Sequence, residues 1–236
     1  MKPLDSYRTD HLERLTRNGY FKSHPREMAD SEFRLDTVSI NPYTEIKICR
    51  RITCRKIFFT DRTEFSGDIV TNQFQQDTLT RINGRVNASE MFVNGRLIIF
   101  GNIRARNLIV RGSLYAPVDI RAEEADFLLS EYCTCKTLTA RTITVKQPVY
   151  NDFLRLFFNP DNSGGNVLYA DKILGDDLNL AGVTANLVQG SRVRIGPGCR
   201  IRKVVYRDAI YIDKKACVDW YEPYTPKEGG PNDVVQ

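Results

Sequence analysis

The chain is short of the residues that most enzyme chemistry requires. Its 236 residues include 2 His, 1 Trp and 3 Met. Histidine titrates near neutrality and is the commonest metal ligand, so His11 and His24 alone leave little room for general-base or zinc chemistry. His24 precedes Pro25 and reads as a turn residue. No apolar run exceeds four residues, Leu97 to Phe100 being one, whereas a transmembrane helix takes about 20. The first twenty residues carry Asp5, Asp10, His11, Glu13 and several Arg, with no secretory apolar stretch. Six Cys without an export signal point to free thiols in a reducing compartment, the cytoplasm. The charge, 34 − 29 = +5, permits an anionic partner without requiring one. What remains, 42% hydrophobic residues, is ample for a core.

What is present is a repeat. Gly67, Gly84 and Gly101 are 17 residues apart, as are Gly95 and Gly112. Ile52, Ile69, Val86, Ile103 and Ile120 keep the same spacing, and so do Ile57, Phe74, Met91, Leu108 and Ala125. A third column runs Ile48, Phe65, Ile82, Ile99 and Ala116. After Ala122 the spacing becomes 18, carrying Ile120 to Leu138 and Ala125 to Ile143. Near the C-terminus the expected columns are Leu178–Ile195–Ile212, Leu187–Val204 and Thr184–Ile201. Within one period the apolar residues alternate in pairs, Val86/Ala88, Met91/Val93 and Leu97/Ile99, as strands with one buried face do. Polar or Gly-containing corners such as Asn94-Gly95 separate the pairs. This pattern predicts an all-β fold, a triangular parallel β-solenoid of about 17 residues per turn. The expected solenoid domain is 37–218, preceded by an arm or cap at 1–36 and followed by a flexible tail at 219–236. An excursion at 147–168 interrupts it, and its Phe153, Leu154, Phe157 and Phe158 either pack on the solenoid or bind a partner.

Ile195-Gly196-Pro197-Gly198-Cys199 has the flavour of hexapeptide-repeat acyltransferases, yet those need His, and both His lie outside every column. Cys133-x-Cys135 lacks the second pair of a metal site. Cys133 aligns with Ile82, Ile99 and Ala116, and Cys54 with Ala88 and Ala105, so both read as small buried apolar residues. Adjacent acids such as Asp176-Asp177 point to opposite faces of a strand and form no acid/base pair. No phosphate-binding loop is present, so no catalytic, cofactor or metal residues are expected. Lys and Arg do not stack into one stripe interleaved with aromatics, which counts against nucleic acid as a partner.

Two stretches resemble the bactofilins, bacterial polymer-forming cytoskeletal proteins, in particular the longer kind found in bacilli. They are Ile82-Asn83-Gly84-Arg85-Val86-Asn87-Ala88 with its echoes, and the stretch from Phe157 to Ala216 that includes LYADKILGDDLNLAGVTANLVQG. The resemblance covers roughly 37–218. It implies a right-handed β-helix that assembles end to end without nucleotide and serves as a scaffold in cell shape, envelope synthesis or motility. Many members carry a short apolar membrane-targeting N-terminus. Met1-Lys2-Pro3-Leu4-Asp5 is not of that kind, which leaves a peripheral place at the inner face of the membrane open but not indicated. Physics points to self-association independently, because the last turn of a solenoid leaves strand edges and the end of an apolar core unpaired. The expected end contacts are Ile48 and Ile52 at one end and Ile195, Ile210 and Ile212 at the other. The partners expected are the chain itself and envelope or motility proteins. The competing expectations are an adaptor that binds one protein without polymerising, and a hexapeptide-type enzyme.

Overall fold

Phe33, Ile52, Ile69, Val86, Ile103, Ile120, Leu138, Ile173, Val188, Val204 and Tyr221 pair one to the next in parallel register, forming a single column. This column runs along one wall of a parallel β-solenoid with about 17 residues per turn. Its ten steps of ~4.8 Å make a rod near 48 Å long. The computed structural model describes residues 32–40, 48–148 and 166–225, with the side chains of 32–35, 48 and 49 left aside.

The strands are β1 (Glu32–Ile40), β2 (Ile48–Phe59), β3 (Thr63–Gln76), β4 (Leu79–Asn83) and β5 (Val86–Val93). They continue as β6 (Arg96–Ile99), β7 (Ile103–Val110), β8 (Ser113–Arg121), β9 (Glu124–Leu128) and β10 (Cys133–Thr139). The last are β11 (Thr142–Lys146), β12 (Leu168–Leu180), β13 (Val183–Ile195), β14 (Arg200–Ile212) and β15 (Cys217–Pro223). All belong to one sheet that winds on itself.

Each turn has three faces, because inward residues come in pairs. In one turn these are Leu97 and Ile99 on the first face, Ile103 and Ala105 on the second, and Leu108 and Val110 on the third. Five of the six are at most 1% exposed, and Ala105 packs against them half-buried. Buried side chains of this size contribute about 1.5–3 kcal/mol each, offset by the cost of ordering the chain. The corners are narrow. A Cβ at Gly84 would come within 1.8 Å of the Gly67 carbonyl oxygen, and one at Gly101 within 2.3 Å of the Gly84 backbone. Only glycine permits turns to stack this closely there. At Gly182 and Gly198 the need is conformational, with φ of 67° and 72°.

The inward columns Ile52–Ile120 and Ile57–Ala125 run as the spacing predicts, and so does the passage from Ile120 to Leu138. Elsewhere the register departs from 17. Tyr115 pairs with Thr134, a step of 19, and Asp119 with Thr137, a step of 18. Two residues of β8, Pro117 and Val118, oppose one of β10 there, a bulge at a proline that has no N–H for the ladder. It is therefore Cys135, not Cys133, that stacks on Ala116. Ile48 pairs with Ser66 instead of aligning with Phe65, because another irregularity falls between Ile48 and Arg51.

The turn from β12 to β13 is 15 residues long, 183 − 168. The C-terminal columns are accordingly Leu178–Val193–Ile210 and Leu180–Ile195–Ile212, not Leu178–Ile195–Ile212. In the following turn Val188 and Ala185, not Leu187 and Thr184, stack on Val204 and Ile201. Both expected domain edges also move outward. β1 begins at Glu32, five residues before 37, and β15 makes strand of residues 219–223, the first part of the expected tail. Residues 1–31 of the expected arm, 149–165 of the expected excursion, with Phe153, Leu154, Phe157 and Phe158, and 226–236 of the expected tail lie outside the described residues.

Candidate functional site

The polar groups of the rod are used to hold turns together. Arg85 binds Asp68 at 2.7 Å, Arg141 binds Glu124 at 3.1 Å and Arg111 binds Asp126 at 2.7 Å, each pair joining neighbouring turns. Arg192 grips Asp177 in the same way, and that hydrogen bond holds the Asp177 carboxyl below its usual range. Among the described residues no three His, Cys, Asp or Glu gather as metal ligands. Cys54, Cys133, Cys135 and Cys199 are core residues. Cys133 is fully buried and Cys135 nearly so, and burial pushes their thiols up to about 11 and about 12. Burial raises the Cys54 and Cys199 thiols as well. Such thiols stay protonated and are poor nucleophiles.

The distinctive surface is the C-terminal rung. β15 pairs with residues 200–206 of β14 only, so the last rung covers the first and second faces and stops. Residues 207–212 of β14, on the third face, have no strand above them among the described residues. The rod thus ends in a step one strand high. At that step the inward columns run out. Val218 and Tyr221 finish the columns of Ile201 and Val204 on the upper tread. Ile210 and Ile212 finish those of Val193 and Ile195 on the lower one.

Position in a column no longer guarantees burial here. Tyr221, in the inward column of Val204, is 57% exposed, while Trp220 and Tyr211, outside the inward columns, are 60% and 53% exposed. Val218, Ile210 and Ile212 are half-buried against the core. The rung is held in place at its edges. The Tyr224 N–H donates to the Tyr206 carbonyl at 2.6 Å, and Trp220 Nε1 donates to Glu222 at 2.9 Å. Lys203 pairs with Glu222 at 2.8 Å, and with Trp220 it lowers the pKa of that carboxyl. On the lower tread the Arg194 guanidinium lies 5.1 Å from the centre of the Tyr211 ring.

The expected end residues divide accordingly. Ile210 and Ile212 lie on the step. Ile195 is fully buried one rung inside it, between Leu180 and Ile212. Ile52 is fully buried too, because β1 lays another rung over it. Neither can touch a partner while its turn is intact. Ile48 lies in β2, its side chain outside the described residues. The residues that do finish the stack, Val218 and Tyr221, stand 17 after Ile201 and Val204, so the same count could have found them. No family model, curated protein or solved structure matches the chain.

Proposed function

We propose that this protein is a non-enzymatic scaffold whose rods join end to end, without nucleotide, through the C-terminal step. The observation that carries the reading is the step itself: a strand edge with no strand over it among the described residues, beside an apolar core that ends in half-buried Ile210, Ile212 and Val218 and exposed Tyr221. Unpaired edges template pairing with another chain, and natural proteins otherwise cover, charge or bulge them. A second copy supplies the missing strand partners and buries the aromatic rings. The likeness to bactofilins in the Phe157–Ala216 stretch supports the same reading and extends it to a cytoplasmic role in organising envelope, cell-shape or motility machinery.

The test is Ile212→Arg, which places a charge on the lower tread where no strand covers it. Circular dichroism checks that the rod remains folded, and negative-stain microscopy with sedimentation reads assembly. The expected result is fibres in the native protein and none in the variant. Fibres that persist in folded Ile212→Arg would overturn a contact at this end. A native protein that sediments at 27.1 kDa would favour an adaptor that binds one partner instead.

A further inference from the structure

The exposed aromatic side chains are not spread evenly around the rod. Among the described residues, those away from the C-terminal end are Phe100, Tyr115, Tyr132 and Tyr169, between 40% and 48% exposed. Tyr115 and Tyr169 point outward from the first face, Phe100 closes that face, and Tyr132 stands at the corner leading into it. Phe100 and Tyr115 meet edge to face with ring centres 6.3 Å apart. The outward column of the second face, by contrast, runs Val70, Asn87, Arg104, Arg121, Thr139 and Leu174, with no large exposed apolar residue.

The outward column of the first face is Glu64, Arg81, Ile98, Tyr115, Thr134, Tyr169, Thr184, Arg200 and Cys217, each paired with the next. Its middle holds Ile98, Tyr115 and Tyr169 around Thr134, with Glu64 and Arg81 toward one end and Arg200 toward the other. Glu64 is exposed, with Asn83 as its hydrogen-bond donor, and Arg200 is exposed with no ion-pair partner among the described residues. Arg202, on the same face and strand as Arg200, is in the same condition.

We infer that this face docks on the same face of a second copy, the two rods running antiparallel about a two-fold axis between Tyr115 and Thr134. The register decides what meets. Tyr115 faces Thr134 of the other copy, Ile98 faces Tyr169, and Glu64 faces Arg200. An aromatic centre flanked on both sides by Glu–Arg contacts is self-complementary only in this antiparallel sense, as a two-fold interface requires. Parallel pairing would set Glu64 on Glu64 and Arg200 on Arg200. Seven steps of ~4.8 Å by a strand of about five residues at ~3.3 Å give a plane on the order of 550 Å². Two such planes bury on the order of 1,100 Å² together, just above the ~1,000 Å² that a specific interface should clear. Tyrosine supplies such contacts at small entropic cost. The contact is separate from the end-to-end step and does not depend on it. It leaves one C-terminal step at each end of the pair, so paired rods can still be joined lengthwise.

The experiment uses the full chain carrying Ile212→Arg, in which end contacts are removed and only side contacts remain. Sedimentation equilibrium is expected to give a dimer of 2 × 27.1 = 54.2 kDa. Adding Tyr115→Lys and Tyr169→Lys, both on exposed positions, is expected to weaken it at least about tenfold. Glu64→Arg alone weakens the dimer, and combining it with Arg200→Glu and Arg202→Glu restores it, which mere loss of folding would not do. A folded Ile212→Arg protein that stays at 27.1 kDa up to its solubility limit overturns the proposal, as does a dimer indifferent to the tyrosine and charge variants. Should Ile212→Arg still form fibres, the end-to-end reading fails and fibre width answers for the face: two rods wide natively, one with the tyrosines replaced. An unchanged width overturns the proposal in that case.

Discussion

Val86 and Tyr221 stand in one column of the solenoid and share little beyond that position. Val86 is 1% exposed, with Ile69 below and Ile103 above. Tyr221 is 57% exposed, with Val204 below and no strand above it among the described residues. The middle of the rod is closed because every turn is both floor and ceiling. The last turn is only ceiling. A repeat therefore makes two kinds of environment from one pattern, a core wherever it has neighbours on both sides and an exposed edge where it stops.

Substitutions can break the closed half of this comparison. Met91, fully buried among Phe74 and Leu108, is expected to cost about 2–5 kcal/mol as Met91→Ala, read by chemical denaturation. The same truncation at Tyr221 removes a side chain that is already in water and is expected to cost the isolated rod less than about 1 kcal/mol. If both cost the same, the two sites are not distinct in the way described.

The middle also has a flaw whose repair sharpens the contrast. Gln76 occupies the inward column between Phe59 and Val93, fully buried, and its Oε1 has no hydrogen-bond partner. Only its Nε2 is used, donating to the Arg96 carbonyl at 3.4 Å. Burying an amide oxygen unpaired costs about 1–3 kcal/mol. Gln76→Leu is therefore expected to raise stability by about 1–2 kcal/mol in the same denaturation experiment. A loss of stability would mean that the amide is better satisfied than its surroundings indicate.

A smaller effect is expected from alkaline pH. The Cys133 and Cys135 thiols are raised from 9.0 to about 11 and about 12 by burial. A raised folded pKa favours the folded state below the unfolded value and stops doing so as pH rises through the folded one. Stability should thus fall progressively from about pH 9 upward, and fall less in a Cys133→Ala/Cys135→Ala protein. In labelling with a thiol reagent, Cys217, exposed on the last rung, should react in the folded state ahead of the buried Cys54, Cys133, Cys135 and Cys199.

Much of the interior was legible because alternation and period were both visible there. Ile52 to Ile120 could be counted off, and so could the lengthened step to Leu138. What escaped the count has local causes. The bulge at Pro117-Val118 shifts Cys135 onto Ala116, and the 15-residue turn after Leu168 shifts Val193 onto Leu178. A fixed period cannot register a turn that shortens at its corners. The ends were misread for another reason. β1 mixes its apolar residues with Glu32, Arg34 and Asp36, and β15 ends in Glu222-Pro223, so both have the composition of flanking segments. Ile52 and Ile195 were consequently placed at the ends, when each has one more rung beyond it.

Trp220 is the only tryptophan in the chain and lies on the last rung, 60% exposed. Its fluorescence therefore reports the last rung directly. The account predicts that in the native assembled protein Trp220 emits at shorter wavelength and resists acrylamide quenching, whereas in folded Ile212→Arg it emits as a solvent-exposed indole and quenches freely. Equal quenching in both proteins, with fibres present in the native one, would contradict the claim that the C-terminal step is where the rods join.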